Sequence, residues 1–326
     1  MNNILWQNKN VLVTGGTGLV GSHIVEKLLD AKANVFIPYR SVNPKSYFIT
    51  SEFNKKCVLA VCDLKDYERV MDVISRYEIE YIFHLAAQPI VPIAHVNPYE
   101  TLQTNITGTI NVLEAARHCL KVKSIVVASS DKAYGKSDIL PYREDTHHVC
   151  GDHPYDVSKS CADLIAKMYY KTYGLPVTVT RFGNIYGAGD LNFNRIIPGA
   201  IMAAIKNIPL QIRSDGQMVR EYVYVKDVAS GYLLLGENID KTKGEAFNFG
   251  SGQNYSVIGI VKKVSEIFGR PITMNILNET KNEIPEQYLS YDKINHLLGW
   301  APQYKIDDAL RETIFWYQKT FYEFDK

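Results

Sequence analysis

VLVTGGTGLVGSHIVEKLL, residues 11–29, decides the fold. Val11–Thr14 is a β-branched run that breaks into glycine and resumes with helical spacing, predicting a strand and then a helix over Gly18–Ala31. Gly15, Gly18 and Gly21 stand at G-x-x-G-x-x-G between the two. Three demands meet in such a turn: the chain must reverse tightly, a pyrophosphate must approach the backbone, and the helix must pack close to the strand. The helix N-terminus then offers unpaired N–H groups and a partial positive charge to an anion. A tight turn without ligand could use the same glycines, but this strand–turn–helix context is the one a dinucleotide requires.

Outward from this unit the alternation continues. Val35–Ile37 reads as a strand, followed by a polar loop through Tyr47. Val58–Val61 is a strand ending near Asp63, Asp66–Tyr77 a helix, and Tyr81–Leu85 a strand. Thr104–Cys119 has helical spacing, Ser124–Ser129 is a strand, Pro154–Tyr173 a long helix, and Val177–Phe182 a strand after the Gly174–Pro176 break. The strands are continuous apolar runs, which suits a parallel sheet covered on both faces. The expectation is an α/β fold: a Rossmann-type, doubly wound parallel sheet with a smaller C-terminal lobe. After Asn184 the elements shorten and Gly, Pro and Asn become frequent, with one strand returning near Ala246–Asn248. Residues 1–183 with about 223–250 are thus assigned to the dinucleotide half, and 184–222 with 251–326 to the lobe.

Bulk composition narrows the function. The 326 residues contain 36 Lys plus Arg against 35 Asp plus Glu, so nothing points to a nucleic-acid or polybasic membrane surface. The apolar stretches are too short to span a bilayer, and the N-terminus lacks a basic region followed by a long apolar run. Five cysteines, an odd number with no CxxC pair, argue against a disulfide framework or thiolate zinc site and for a reducing cytoplasm. His147, His148, Cys150, Asp152 and His153 crowd together in HHVCGDHP, but not at zinc spacing, so no metal is expected.

Further positions gather at the expected carboxyl edge of the sheet. Asp63 could accept the adenine amino group or cap the next helix; both roles stay open. Ala86 and Ala87 in HLAAQ are small enough for a cofactor to lie against the sheet edge. Thr17, Leu19, Val20, Leu64, Leu85, Gln88, Asn105 and Ser129 complete the expected cofactor contacts. No acidic residue follows the second strand; Pro38-Tyr39-Arg40-Ser41 stands there instead. An acid would hold the ribose of NAD, and Arg40 could pair with the 2′-phosphate of NADP or be a solvated loop charge, so NAD and NADP stay open. Tyr155 and Lys159 share one helix face at i and i+4. An ammonium there would lower the phenol pKa, and a tyrosine near ~10 needs such help to act as a base. Y-x-x-x-K alone is common; it gains meaning downstream of the glycine turn and after a strand ending in Ser129-Ser130, where a hydroxyl can reach a substrate oxygen.

TGGTGLVG, HLAAQ, NPYETLQTNITGTINVLEAAR, SSDKAYG, PYDVSK and VREYVYVKDVA together resemble the extended short-chain dehydrogenase/reductases, and the resemblance covers nearly the whole chain. Within that family SSDKAYG is similar to the nucleotide-sugar 4,6-dehydratases, and its Asp-Lys pair to the CDP-glucose 4,6-dehydratases, with Ser130 in place of Thr. Epimerases and reductases share the Tyr–Lys pair but usually lack that acid–base pair. The resemblance implies dehydration of a nucleotide-hexose to its 4-keto-6-deoxy form, with Ser130, Asp131, Lys132, Tyr155 and Lys159 catalytic and the cofactor regenerated. Asp131-Lys132 could equally be a solvent-facing charged pair. The resemblance also implies diphosphate contacts from Asn184 and Arg220, with Arg195 and Arg213 as further candidates that could instead make surface ion pairs. It implies a homodimer through the Leu113–Leu120 region and the Pro154 helix. Phe315, Trp316, Tyr317, Phe321 and Tyr322 are expected to pack the lobe.

Overall fold

The computed structural model describes residues 5–279 and 284–322. In chain order come β1 (Asn10–Thr14), β2 (Asn34–Tyr39), β3 (Val58–Val61), β4 (Tyr81–His84), β5 (Ser124–Ala128) and β6 (Val177–Phe182). Short strands follow, β7 (Asn184–Tyr186), β8 (Leu210–Ile212) and β9 (Val219–Tyr224), before β10 (Ala246–Phe249). β11 (Asn254–Ser256), β12 (Met274–Ile276) and β13 (Glu286–Gln287) complete the set. β10, β6, β5, β4, β1, β2 and β3 lie side by side in that order, all parallel. The sheet is therefore the expected doubly wound one, and the strand predicted near Ala246–Asn248 is its outermost member.

Helices cover both faces for reasons their sequences show. Tyr67–Arg76 starts on Asp66, whose side chain accepts from Arg69 N–H, carries Glu68 in its first turn and buries Val70, Val73 and Ile74 on one stripe. Pro154–Tyr173 opens on proline and stops at Gly174, φ 68°, a left-handed cap. Its buried stripe runs Tyr155, Ser158, Lys159, Ala162, Ala166 and Tyr169, and the small residues let it lie close to the sheet. Leu19–Asp30 and Val225–Glu237 cover the opposite face.

β7, β11 and β13 all pair with β9, β11 antiparallel and the other two parallel. Ile196–Lys206, Val257–Phe268 and Ile306–Tyr317 pack a separate apolar core beside this smaller sheet. Tyr317 is fully buried there, with Trp316 and Phe321 against it, whereas Phe315 is exposed and turns away. The side chain of Tyr322 lies outside the described residues.

Two expectations need correction. β3 is apolar but not covered on both faces: Val58, Leu59 and Val61 are exposed because β3 is the edge of the sheet. The helix expected from Thr104 is instead a wide π-type turn, Gln103–Thr107, that leads into Gly108–His118 and is itself preceded by a short helix at Pro98–Leu102.

Gly21 fixes how closely the first helix meets the glycine turn, since a methyl group there would lie 2.1 Å from the Gly15 carbonyl oxygen. Gly21→Ala should therefore destabilise the fold by about 1–3 kcal/mol, as overpacking does. Urea unfolding followed by far-ultraviolet circular dichroism checks this.

Candidate active site

The carboxyl ends of the parallel strands and the smaller sheet enclose a cavity of about 650 Å³. It runs from Gly15, Thr17, Gly18, Leu19, Val20 and Gly21, past Arg40, Asp63, Leu64, Leu85, Ala86 and Ala87, to Ser129, Ser130, Asp131, Lys132, Tyr155 and Lys159. At its far end stand Asn184, Arg195, Arg213 and Arg220. Gln88 and Asn105 do not line it. Asn105 lies behind the wall, accepting from Gln88 N at 2.7 Å and donating to Ser158 Oγ at 2.8 Å. The Gln88 side chain closes its own turn on Ile90 and Thr101. Both were expected to touch the cofactor; here they brace the cavity wall instead.

The glycine end suits a pyrophosphate. Gly15 has φ 71°, and a Cβ there would come within 2.9 Å of Ala86 N. No side chain caps the helix at Gly18 and its first turn holds no acid, so the N–H groups and the dipole are left for an anion. The residues present thus fit a dinucleotide. Asp63 is not the helix cap, since Asp66 takes that place; its Oδ1 accepts from Lys65 N at 3.0 Å. Arg40 is not a lone loop charge: its Nη1 lies 3.3 Å from Glu100 and 3.7 Å from Asp63.

Tyr155, Lys159, Ser130 and Asp131 are all buried. Lys159 Nζ donates to the Ala128 carbonyl at 2.8 Å, and burial pulls its pKa down to about 8. Tyr155 is pushed up to about 12, first by burial; Asp131 adds to this, while Arg195 and a hydrogen bond with Ser130 oppose it. The cation that most lowers the phenol is therefore Arg195, not its helix neighbour. Arg195 is held by buried Asp190 at 3.0 Å. Ser130 Oγ donates to Asp131 Oδ1 at 3.0 Å and accepts from the Lys132 backbone N–H, so it holds the Asp131 carboxyl and closes the turn.

Three residues lay outside the sequence reading. Asp156 is buried behind Lys132 and pushed up to about 6, chiefly by burial. Glu221, fully buried in β9, accepts from Ser251, Gly252 and Leu289 N–H groups and is pushed up to about 7 by burial, with Asp131 adding to the shift. A glutamate inside the apolar run VREYVYV was its signal. Gln287 accepts from Lys132 Nζ at 3.1 Å and had no signal at all.

The glycine turn on an uncapped helix, the Tyr–Lys pair on one helix face and the Asp–Lys turn all line one cavity. The chain belongs to the NAD dependent epimerase/dehydratase family, whose family model matches residues 11–250. It is similar to CDP-glucose 4,6-dehydratase of Salmonella typhimurium, 30% identical over 96% of this chain and 91% of that one. Among solved structures it is similar to the dTDP-glucose 4,6-dehydratase from Streptomyces venezuelae with NAD and TYD bound, at TM-score 0.85 and 26% identity over 95% of this chain and 97% of that one. It is also similar to the UDP-glucose 4-epimerase from Thermotoga maritima with UDP-glucose, at TM-score 0.87 and 29% identity over 95% of this chain and 99% of that one.

Glu221 makes stability depend on pH. Its folded pKa lies above the unfolded value, so its contribution is full below pH 4.5 and is lost as pH rises through about 7. The stability advantage of the wild type over Glu221→Gln should fall by roughly 3 kcal/mol across that window. Urea midpoints of both proteins at several pH values check this; parallel curves would refute it.

Proposed function

We propose that the protein dehydrates a nucleotide-hexose, CDP-glucose by preference, to the 4-keto-6-deoxy sugar. The observation that carries this is the turn Ser130-Asp131-Lys132, which puts an acid and an amine on the same cavity as Tyr155 and Lys159. An epimerase needs only the tyrosine and lysine; an elimination also needs a group to take one proton and a group to give another. Similarity to the Salmonella dehydratase supports the CDP-glucose preference.

The dinucleotide, when bound, supplies the hydride acceptor for carbon 4 and the hydride donor for carbon 6. Gly15, Gly18 and the N–H groups of Leu19 and Val20 would hold its pyrophosphate, Asp63 its adenine, and Lys159 its nicotinamide ribose. NAD is the form we favour: Arg40 is engaged by Glu100 and Asp63, and the Streptomyces relative has NAD bound. Tyr155 takes the proton of the 4-hydroxyl, with Ser130 donating to the same oxygen. The ketone at carbon 4 acidifies the hydrogen on carbon 5, and the amine of Lys132, when it carries a lone pair, takes it. Asp131, when it carries a proton, gives it to the departing 6-hydroxyl, which leaves as water. Arg195, Arg220 and Asn184 bind the diphosphate, with Arg213 beside them, so the sugar would sit between the glycine-bearing half, residues 1–183 with about 223–250, and the lobe, 184–222 with 251–326.

We place the reaction in the cytoplasm, since all five cysteines are free and no helix among the described residues is long and apolar enough to cross a membrane. We also assign a homodimer through the Gly108–His118 and Pro154–Tyr173 helices. Leu113 itself is buried in the core, but Ile110, Leu164 and Met168 are exposed on these helices. A dimer mass in sedimentation equilibrium is the expected result; a monomer would overturn the assignment.

The second reading, epimerisation, is favoured by the likeness to the Thermotoga epimerase. Incubation with CDP-, UDP-, dTDP- and GDP-hexoses separates the two: the dehydratase releases one water, seen as a mass loss, and an epimerase changes stereochemistry at constant mass. Tyr155→Phe should lower turnover by about 10²–10⁴-fold while dinucleotide binding is kept. Wild-type-like turnover in that variant would remove the proposed base.

A further inference from the structure

Lys132 reaches across the cavity wall to the second half of the chain. Its Nζ donates to Gln287 Oε1 at 3.1 Å, a contact between residues 155 apart in sequence. Gln287 belongs to β13, which lies parallel to β9 with Gln287 opposite Arg220. The strand is stitched on both sides: Leu289 N donates to Glu221 at 3.1 Å, Tyr142 N to Tyr288 O at 3.0 Å, and Ser290 N to Tyr142 O at 3.0 Å. Tyr142 in turn donates to the carbonyl of Gly135, at the end of the Asp131 turn. The amide is thus set on a fixed mount relative to Lys132.

Gln287 is 2% exposed, and its Nε2 has no hydrogen-bond partner among the described residues. A buried amide with an unsatisfied end costs stability, so an apolar side chain of the same size would serve the fold better. Charge sharpens the point. The groups gathered around Lys132 are Asp131 in its own turn and Asp156 on the catalytic helix, with His153 and Asp152 acting on Asp156. Tyr155 and Glu221 feel Asp131. Arg220 stands opposite Gln287. Among these carboxyls, the group in direct contact with Nζ is neutral.

An amide is two-sided. Its oxygen accepts from an ammonium, and after a half-turn about its last torsion its N–H donates to the lone pair of a neutral amine. A carboxylate in its place could only accept, and would hold the lysine charged. We propose that Gln287 is a positioning residue for Lys132, partnering the amine both with and without its proton so that the amine can serve as the base of the elimination. This rests on the dehydratase reading above. In that step the lone pair of Lys132 takes the hydrogen of carbon 5 as a proton. The C–H electrons become the double bond between carbons 5 and 6, the bond from carbon 6 to oxygen breaks, and the oxygen leaves as water with the proton of Asp131. Lys132 is then an ammonium on the Gln287 oxygen.

The test compares the holoenzyme with Gln287→Met and Gln287→Glu on the nucleotide-hexose that the wild type dehydrates. In Gln287→Met, kcat for water release should fall about tenfold with KM within about twofold, because binding is untouched and a base is misplaced. Oxidation at carbon 4 should survive, so the absorbance of reduced nicotinamide builds up when sugar is added. In Gln287→Glu, kcat at neutral pH should fall and the rising limb of its pH profile should move to higher pH, with activity recovered there. Wild-type kcat in Gln287→Met, an unmoved limb in Gln287→Glu, or oxidation lost together with elimination would each overturn the proposal. A wild type that releases no water from any nucleotide-hexose marks failure of the dehydratase reading itself, and the role of Gln287 falls with it.

Discussion

A buried chain of hydrogen bonds ties the ends of β1 and β4 to the helix that carries Tyr155 and Lys159. Thr14 Oγ1 accepts from Leu85 and Ala86 N–H groups, so its one proton goes to His84 Nδ1 at 2.8 Å. That fixes the tautomer: Nε2 carries the other hydrogen and donates to Thr109 Oγ1 at 3.0 Å, which donates to the Asn105 carbonyl at 2.6 Å. Asn105 donates to Ser158 Oγ, and Ser158 to the carbonyl of Tyr155. Strand ends β1 and β4, the π-type turn and the catalytic helix are thereby held in one register. His84 must be neutral for this to work, and burial holds its pKa down to about 3. A break anywhere would leave a buried polar group unpaired, at about 1–3 kcal/mol.

On this support the cavity divides into two electrical regions. The glycine end offers backbone N–H groups and an uncapped helix dipole to an anion. Toward the other end Asp131, Asp156 and Glu221 are all buried, and burial pushes the phenol of Tyr155 up to about 12. Burial raises the pKa of Asp156 and of Glu221, and the charge of Asp131 adds to both shifts.

Much of this was legible in the sequence, because local pattern governs it. Continuous apolar runs and the period of 3.6 residues place β1, the first helix and the Pro154–Tyr173 helix almost to the residue, and the i, i+4 rule puts Tyr155 and Lys159 on one face. Neighbour relations were not legible. β3 reads as a buried strand because a run of valine and leucine says nothing of what lies beside it. Gln88 and Asn105 sit in segments that resemble a family pattern, yet their side chains brace the wall rather than line it. Arg195, not Lys159, is the cation that most lowers the phenol of Tyr155, since its position depends on how a distant helix start folds over the site. Gln287 and Glu221 meet the catalytic turn only through the pairing of β9 and β13, a long-range event with no local signature.

The open edge at β3 has its own consequence. A bare edge strand with exposed valine and leucine is a template for another chain. Here the side chain of Arg69 folds back, its Nε donating to the Val61 carbonyl at 3.0 Å. Arg69 is itself clamped by Asp72, which also holds Arg76. One rung of the unused ladder is therefore already taken by a charged plug. An incoming strand would have to evict an ion-paired guanidinium before it could zip along the edge, so the helix that covers one face of the sheet also polices its rim against runaway stacking.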